Sequence, residues 1–410
     1  MYYLTIYSYV CVNIINLNAL IYNTLNGGYF LFNLNKEIKD ILITITNENA
    51  CVEIKDNLYK TKEFKSFLSK IENKNMGFIE HVSFFKEKPF SPPIYDLSSD
   101  KVDISPFNRP KHLLDNLREV TIYLNDYSDT KYSNYRIVKE AFKQLIYTKI
   151  NNIFEELDVN KLLQFIAVLP ELIIINILGG NIFQYQQLDY LLNNLLKYKQ
   201  RIFFHIHYQD LSSFNNKNII RLISNFNLNI LVDFPVNLNE LTQSLIKLEN
   251  KNYRPVFIIE NDFDFGKSEE IIRNINLSSY IQVPFFNGRN LTFFKRNVFI
   301  NKSDIFNENQ SIIELLIKKN SNPFYFGKLI LNCDKKLYSN FFTESLGSLN
   351  DFLDNKEVII NKLIDNKNSN WNKNKFKVAP CNKCIYNFLC TPLSNYEKVI
   401  GKNNLCSIIN

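Results

Sequence analysis

The sequence predicts an α/β protein: a partial barrel of six strand–helix units, a small mixed β/α domain before it and a cysteine-rich extension after it. Three observations lead there. Between about residues 118 and 300, short apolar runs alternate with helical patterns, as a parallel sheet covered by helices requires. Ahead of them, residues 2–34 alternate side chains with the period of two that strands show. Beyond them the alternation stops, and four of the seven cysteines fall in the last thirty residues.

The first domain is expected over residues 1–95. Tyr3, Thr5, Tyr7 and Tyr9 fall on one side of the opening strands, with Leu4, Ile6 and Val10 near the other. Asn26-Gly27-Gly28 is a turn between Ala19–Thr24 and Tyr29–Asn33. Ile41–Thr46 and Cys51–Ile54 read as two more short strands, and Thr61–Ile71 as a helix. The proline-rich stretch Pro89-Phe90-Ser91-Pro92-Pro93 reads as a linker. The barrel, residues 115–300, has expected strands at Val120–Leu124, Ile173–Leu178, Ile202–Tyr208, Asn229–Phe234, Val256–Glu260 and Tyr280–Val283. Helices are expected at Tyr135–Tyr147, Gln184–Tyr198 and Leu238–Glu249. Six strands in this length suit a partial barrel better than a closed one of eight. The carboxyl ends of such strands form the ligand side, and here they carry Gly179-Gly180-Asn181, Gln209-Asp210, Asp233, Glu260-Asn261 and Pro284. The last domain, residues 301–410, opens with a two-strand pattern, Tyr325–Leu331 and Lys336–Phe341. A helix at Asp354–Ile364 and the cysteine-rich tail follow.

Composition removes several functions. Only 10 residues are Gly, and neither G-x-G-x-x-G nor G-x-x-x-x-G-K-[ST] occurs, which argues against a dinucleotide fold and a P-loop. Four His and one Trp leave little material for His-based catalysis. The net charge of +7 is spread over alternating Lys, Asp and Glu, a mildly basic solvated surface and not a nucleic-acid footprint. Met1–Asn35 is uncharged, but Asn13, Asn16, Asn18, Asn23 and Asn26 interrupt it and no basic segment precedes it, so a signal peptide is not expected. No run reaches the ~18 apolar residues of a membrane span. The expected setting is cytoplasmic, with no membrane and no nucleic acid as partner. Thiols stay reduced there, and clustered cysteines read as metal ligands.

The cluster is Cys381, Cys384, Cys390 and, after fifteen intervening residues, Cys406. A C-x2-C turn can present two thiolates to one centre, the next turn of chain a third and a returning loop the fourth. Four thiolates suit a [4Fe-4S] cluster or Zn, and spacing alone leaves both open. Cys11, Cys51 and Cys333 lie apart and read as small buried side chains. His205 and His207 share one side of a strand and read as packed strand histidines. Asp233 and Glu260, near strand ends, are an acid–base pair for a barrel enzyme of unrelated chemistry, if the barrel has one.

The C-x2-C-x5-C spacing with a distant last Cys resembles the SPASM extension of radical SAM peptide-modifying enzymes, whose full pattern holds two auxiliary [4Fe-4S] clusters. By that resemblance Cys381, Cys384, Cys390 and Cys406 are the second cluster's ligands. The first cluster's ligands are missing: Ser394 and Asn340 stand at two of its positions, and no Cys lies around Lys319–Tyr325. The barrel is similar to the radical SAM fold as well, without its C-x3-C-x2-C loop. The corresponding segment, Asn125 to Tyr135, contains no Cys. Leu178-Gly179-Gly180-Asn181 is similar to the family's Gly-Gly-Glu stretch, with Asn in place of the carboxylate that meets the amino group of S-adenosylmethionine, so that cofactor is not expected.

Together with Tyr22–Gly27, Phe326-Gly327-Lys328-Leu329, Ser394–Glu397 and Asn404–Cys406, these segments resemble the pseudo-radical-SAM/SPASM proteins of GG-Bacteroidales peptide maturation systems. Membership implies one [4Fe-4S] cluster in the tail rather than Zn. It also implies a precursor peptide with a Gly-Gly leader and a companion radical SAM maturase as partners, in the production of a ribosomal peptide. The role implied is a non-catalytic accessory that binds the precursor, the maturase or both. A redox relay to the maturase through the tail cluster is the alternative. An edge of alternating Tyr and Ile in the first domain suits an extended peptide added as a strand; a sheet that only packs on the barrel is the simpler reading.

Overall fold

The computed structural model describes residues 1–98, 113–125, 156–248, 252–340, 343–365 and 369–408, and strands among these residues form three sheets. β1 (Tyr2–Ile6) lies between β5 (Cys51–Ile54) and β6 (Gly77–His81), antiparallel to both. β2 (Val10–Ile15), β3 (Asn18–Asn23) and β4 (Tyr29–Asn33) form an antiparallel meander, and β7 (Tyr95–Asp96) runs parallel beside β2. The turn at Asn26-Gly27-Gly28 joins β3 to β4, Gly28 N donating to Asn26 Oδ1 at 2.8 Å. Leu4, Ile6, Val10 and Val12 are buried in one core with Phe64, Phe67 and Ile71 of the helix Lys62–Asn73.

One expected strand is a helix. Ile41–Thr46 falls inside Lys36–Asn47, whose first turn is capped by Asn35 Oδ1 accepting from Ile38 N at 2.8 Å. Ile38, Leu42 and Ile45 are the buried residues, spaced four and three apart on one helical face. The β-branched run favours a strand locally, and this stripe against the sheet outweighs it. The proline-rich stretch is tied to the same unit: Ala50 N donates to Ser91 O at 2.9 Å and Ile94 N to Ile45 O at 3.2 Å.

The six expected parallel strands are present as β8 (Glu119–Tyr123), β9 (Ile174–Leu178), β10 (Ile202–His207), β11 (Asn227–Val232), β12 (Tyr253–Ile259) and β13 (Ile281–Pro284). They belong to a large, partly parallel sheet ordered β13-β12-β11-β10-β9-β8-β14-β15-β16, whose end strands do not pair with each other. Two of its strands were expected in the separate extension. β14 (Lys328–Leu331) runs parallel beside β8, and β15 (Lys336–Tyr338) and β16 (Gly347–Ser348) continue antiparallel. Gly327 makes this junction possible. Its φ is +79°, a Cβ there would meet Asn116 O at 2.6 Å, and its carbonyl accepts from Arg118 N at 2.7 Å and Glu119 N at 3.0 Å.

Helices cover one face of the sheet. Val120, Ile122, Ile175, Ile177, Phe204 and Ile230 pack there with Leu162, Phe165, Leu191 and Leu241. The expected helix over 184–198 is the helix Leu188–Leu195 flanked by 3-10 turns, and the next is Leu238–Lys247, capped by Asn237. The expected helix Tyr135–Tyr147 lies outside the described residues. In the extension the expected helix is Lys356–Asp365, and a further short helix, Leu349–Asp354, precedes it. Trp371 is fully buried, its indole N–H donating to Lys328 O at 3.1 Å.

Candidate functional site

Strand alternation decides what faces the inside of the sheet. On β10, Ile202, Phe204 and Ile206 pack with the helices, which turns His205 and His207 to the opposite face as expected. A polar ladder crosses that face. Lys328 Nζ lies 3.0 Å from Glu119 Oε2, and Asn176 Nδ2 donates to Glu119 Oε1 at 2.9 Å. His205 Nε2 lies 3.0 Å from Asn176 Oδ1, which makes Nε2 the protonated nitrogen. Asn229 Nδ2 approaches the same ring at 3.5 Å, and Arg254 Nη2 donates to Asn229 Oδ1 at 3.0 Å. Burial first, then the Arg254 charge, pushes the His205 imidazole down to about 3. It is a neutral link in the ladder.

Further along the same face the interior is filled, with Tyr123, Leu178, Leu231, Val256, Ile330 and Tyr338 buried against one another. Near the strand ends His207 Nε2 meets Asp233 Oδ1 at 2.9 Å, and Asp233 Oδ2 is buried without a hydrogen-bond partner among the described residues. Glu260 is committed elsewhere: its Oε2 accepts from Asn287 Nδ2 at 2.7 Å. The Gly-Gly stretch is occupied by this chain's own Asn125. Gly180 N donates to Asn125 O and Oδ1, each at 3.0 Å, Asn125 Nδ2 donates to Asn181 O at 3.0 Å, and a Cβ on Gly179 would meet Asn125 Oδ1 at 2.5 Å.

The tail cysteines require a correction. Among the described residues, no group of three or more His, Cys, Asp or Glu side chains is placed to hold a metal ion. The expected [4Fe-4S] cluster on Cys381, Cys384, Cys390 and Cys406 is overturned, and Zn with it. The spacing does gather the four thiols within electrostatic reach of one another. Their sulfurs are engaged separately. Cys381 Sγ donates to Asn403 O at 3.4 Å, while Cys390 Sγ accepts from the ammonium of Lys375 at 3.2 Å. Lys375 is 4% exposed and lies 3.7 Å from Glu397 Oε1, so a cation of the protein itself faces Cys390. Burial pushes the Cys381 thiol up to about 11 and raises that of Cys384. The redox-relay reading required the cluster and falls with it. Cys11, Cys51 and Cys333 are buried.

The third candidate is a strand edge. β6 pairs with β1 on one side and with no strand on the other among the described residues. Tyr7 N donates to Met76 O at 2.9 Å and Val82 N to Met1 O at 3.2 Å, which sets the phase of the antiparallel ladder. By its alternation, Gly77, Ile79 and His81 turn their N–H and C=O groups outward. Aromatic side chains flank this edge: Phe78 lies 5.9 Å from Tyr7, and Phe85 is 5.5 Å from Tyr3. Sequence alternation pointed to the Tyr residues of β1 but not to β6, whose Gly-Phe-Ile-Glu-His run has no clean period of two.

No family model and no curated protein matches the chain. Among solved structures it is similar to Streptococcus suis SuiB, at TM-scores of 0.45 for the form bound to S-adenosylmethionine, 0.38 for SuiB alone and 0.35 for the form bound to precursor peptide SuiA. The identities are 12%, 12% and 10%, and each match covers 98% of this chain and 97% of the other. Likeness at this level says nothing about activity, so the functional reading rests on the chain's own residues.

Proposed function

We propose that this protein is a peptide-binding accessory in the maturation of a ribosomal peptide, gripping an extended precursor segment along β6 while a companion radical SAM maturase does the chemistry. The observation that carries the reading is the outward edge at Ile79 and His81, whose backbone donors and acceptors have no strand partner among the described residues and lie beside half-exposed aromatic rings. Main-chain hydrogen bonds supply affinity in such a mode and flanking pockets supply selectivity. The filled sheet interior and the Asn125 contacts on Gly179-Gly180 support an accessory role over a catalytic one. The sequence resemblance supplies the expected ligand, a Gly-Gly leader.

A proline at position 79 tests this. It deletes an N–H that faces away from β1 and leaves the β1–β6 ladder intact, as edge prolines do. Ile79→Ala controls for the lost side chain. Binding of a fluorescein-labelled leader peptide is expected to survive Ile79→Ala within a few-fold and to weaken by ~tenfold or more in Ile79→Pro, since a lost main-chain bond and a strand clash both oppose it. Equal affinity in the two variants would remove β6 as the docking edge.

A further inference from the structure

A strand laid along β6 meets two unlike side chains in a fixed order. The register against β1 pairs Thr5 with Phe78 and Tyr3 with Glu80. Leu4 and Ile6 are buried in the N-terminal core, so by alternation Tyr3, Thr5, Phe78 and Glu80 stand on the opposite face. Phe78 is half-buried there beside Tyr7. Past β6 the chain turns through Val82–Phe84 and brings the Phe85 ring edge-on against Tyr3, the residue that Glu80 pairs with. Glu80 is exposed, and its carboxylate meets no cation among the described residues. Glu53, exposed on β5 and paired with Tyr3 from the other side, adds a second negative charge.

The phase of the ladder decides which of these side chains a docked strand presses against. The outward amides of Ile79 and His81 would make the hydrogen-bonded pairs. Phe78 and Glu80 then fall at non-hydrogen-bonded pairs, where facing Cα atoms are only ~4.5 Å apart and side chains are closest. The sheet is antiparallel at both of its pairings, β5 with β1 and β1 with β6. In an added antiparallel strand, the residue facing Glu80 precedes the one facing Phe78 by two positions. We infer that the β6 edge selects a cation-x-apolar sequence in the peptide, with Lys or Arg facing Glu80 and a large apolar side chain facing Phe78. The inference rests on β6 being the docking edge and names the segment that fits it. A cation gains the Glu80 carboxylate, with Glu53 further off and the Tyr3 and Phe85 rings at its side, whereas an acid meets like charge.

Fluorescence anisotropy of the full chain tests this with short fluorescein-labelled peptides, otherwise built of threonine, that carry Lys-x-Phe, Glu-x-Phe or the reversed Phe-x-Lys. Lys-x-Phe is expected to bind ~fivefold or more tightly than Glu-x-Phe, an opposite-charge pair replacing a like-charge one, and more tightly than Phe-x-Lys. Added salt should narrow the first difference. Glu80→Lys should invert the preference in favour of Glu-x-Phe, which a merely structural role for Glu80 would not do. No binding of any peptide, or binding that Ile79→Pro leaves unchanged, would overturn the docking edge and the inference together. Binding that Ile79→Pro weakens overturns the inference alone if it ignores Lys against Glu, accepts Phe-x-Lys equally, or keeps its preference in Glu80→Lys.

Discussion

His205 shows how a single side chain is assigned a role by its surroundings. Flanked by Asn176 and Asn229, with Arg254 beyond, its imidazole titrates at about 3 in the folded chain against an ordinary value of ~6.5. Such a ring is neutral where the protein works, so it serves as a hydrogen-bonding link and not as an acid or base. The linkage has a definite sign. Above pH ~6.5 neither state is protonated and His205 adds no pH dependence. As pH falls from there toward 3, the unfolded chain takes up a proton that the folded chain refuses, and stability drops. His205→Gln, which keeps a donor and an acceptor, should flatten this part of the acid limb. The difference between urea midpoints of wild type and variant at pH 7, 5 and 4 measures it, with a slope of at most ~1.4 kcal/mol per pH unit. Parallel pH dependence of the two proteins would show that the ring is charged in the fold. Asn125 makes a second residue-scale case: Asn125→Ala removes the acceptor of Gly180 N and the donor to Asn181 O, and a loss of ~1–3 kcal/mol is expected in the same assay.

Elements form where local preference and burial agree, and the helix Lys36–Asn47 shows them disagreeing. Its Ile-Leu-Ile-Thr-Ile-Thr run is strand-like in composition, yet the buried stripe of Ile38, Leu42 and Ile45 and the Asn35 cap hold it helical. Without its cap the run should lose much of that advantage. Asn35→Ala is expected to cost ~1 kcal/mol, and hydrogen exchange should speed first at the amides of 37–39. Uniform exchange along the helix would mean that packing alone sustains it. The same contrast explains what could be read from the chain. The parallel strands β8–β12 were legible because both of their faces are largely buried, which writes near-continuous apolar runs. β14 was legible as a strand, but its place beside β8 was not, because a carbonyl–amide contact at Gly327 sets it and no periodicity records such a contact. The polar ladder was hidden too: Glu119, Asn176, Asn229 and Arg254 each interrupt a different strand, and only the register brings them together. The cysteine spacing was legible as a gathering of thiols. Whether four sulfurs converge on one point depends on where Lys375 and Asn403 lie, and the spacing does not contain that.

At the scale of the whole molecule, the tail joins two cores that are otherwise distinct. One core belongs to the N-terminal sheets and their helices, the other to the helix-covered face of the large sheet. Between them, Tyr386, Phe388 and Leu389 of the segment linking Cys384 to Cys390 pack with Cys11, Leu20 and Tyr22 of the meander and with Leu315 and Leu316 of the helix Ile312–Asn320. Polar contacts pin the same seam: Gln310 N donates to Tyr22 Oη at 2.9 Å and Gln310 Nε2 to Leu389 O at 2.7 Å. Among the described residues, the unit that carries β6 therefore meets the large sheet's unit largely through this seam. Phe388 is fully buried there, and truncating a buried Phe costs ~3–5 kcal/mol. Because the two flanking cores keep their own contacts, that loss should fall on their coupling. Phe388→Ala is expected to split a single unfolding transition into two, with amides of β2 and β3 losing exchange protection before those of β9–β11. Simultaneous loss of protection in both units would mean that they fold as one body, held by contacts outside this seam. If they do separate, leader binding at β6 should persist in Phe388→Ala, because β6 packs with the N-terminal core and not with the seam.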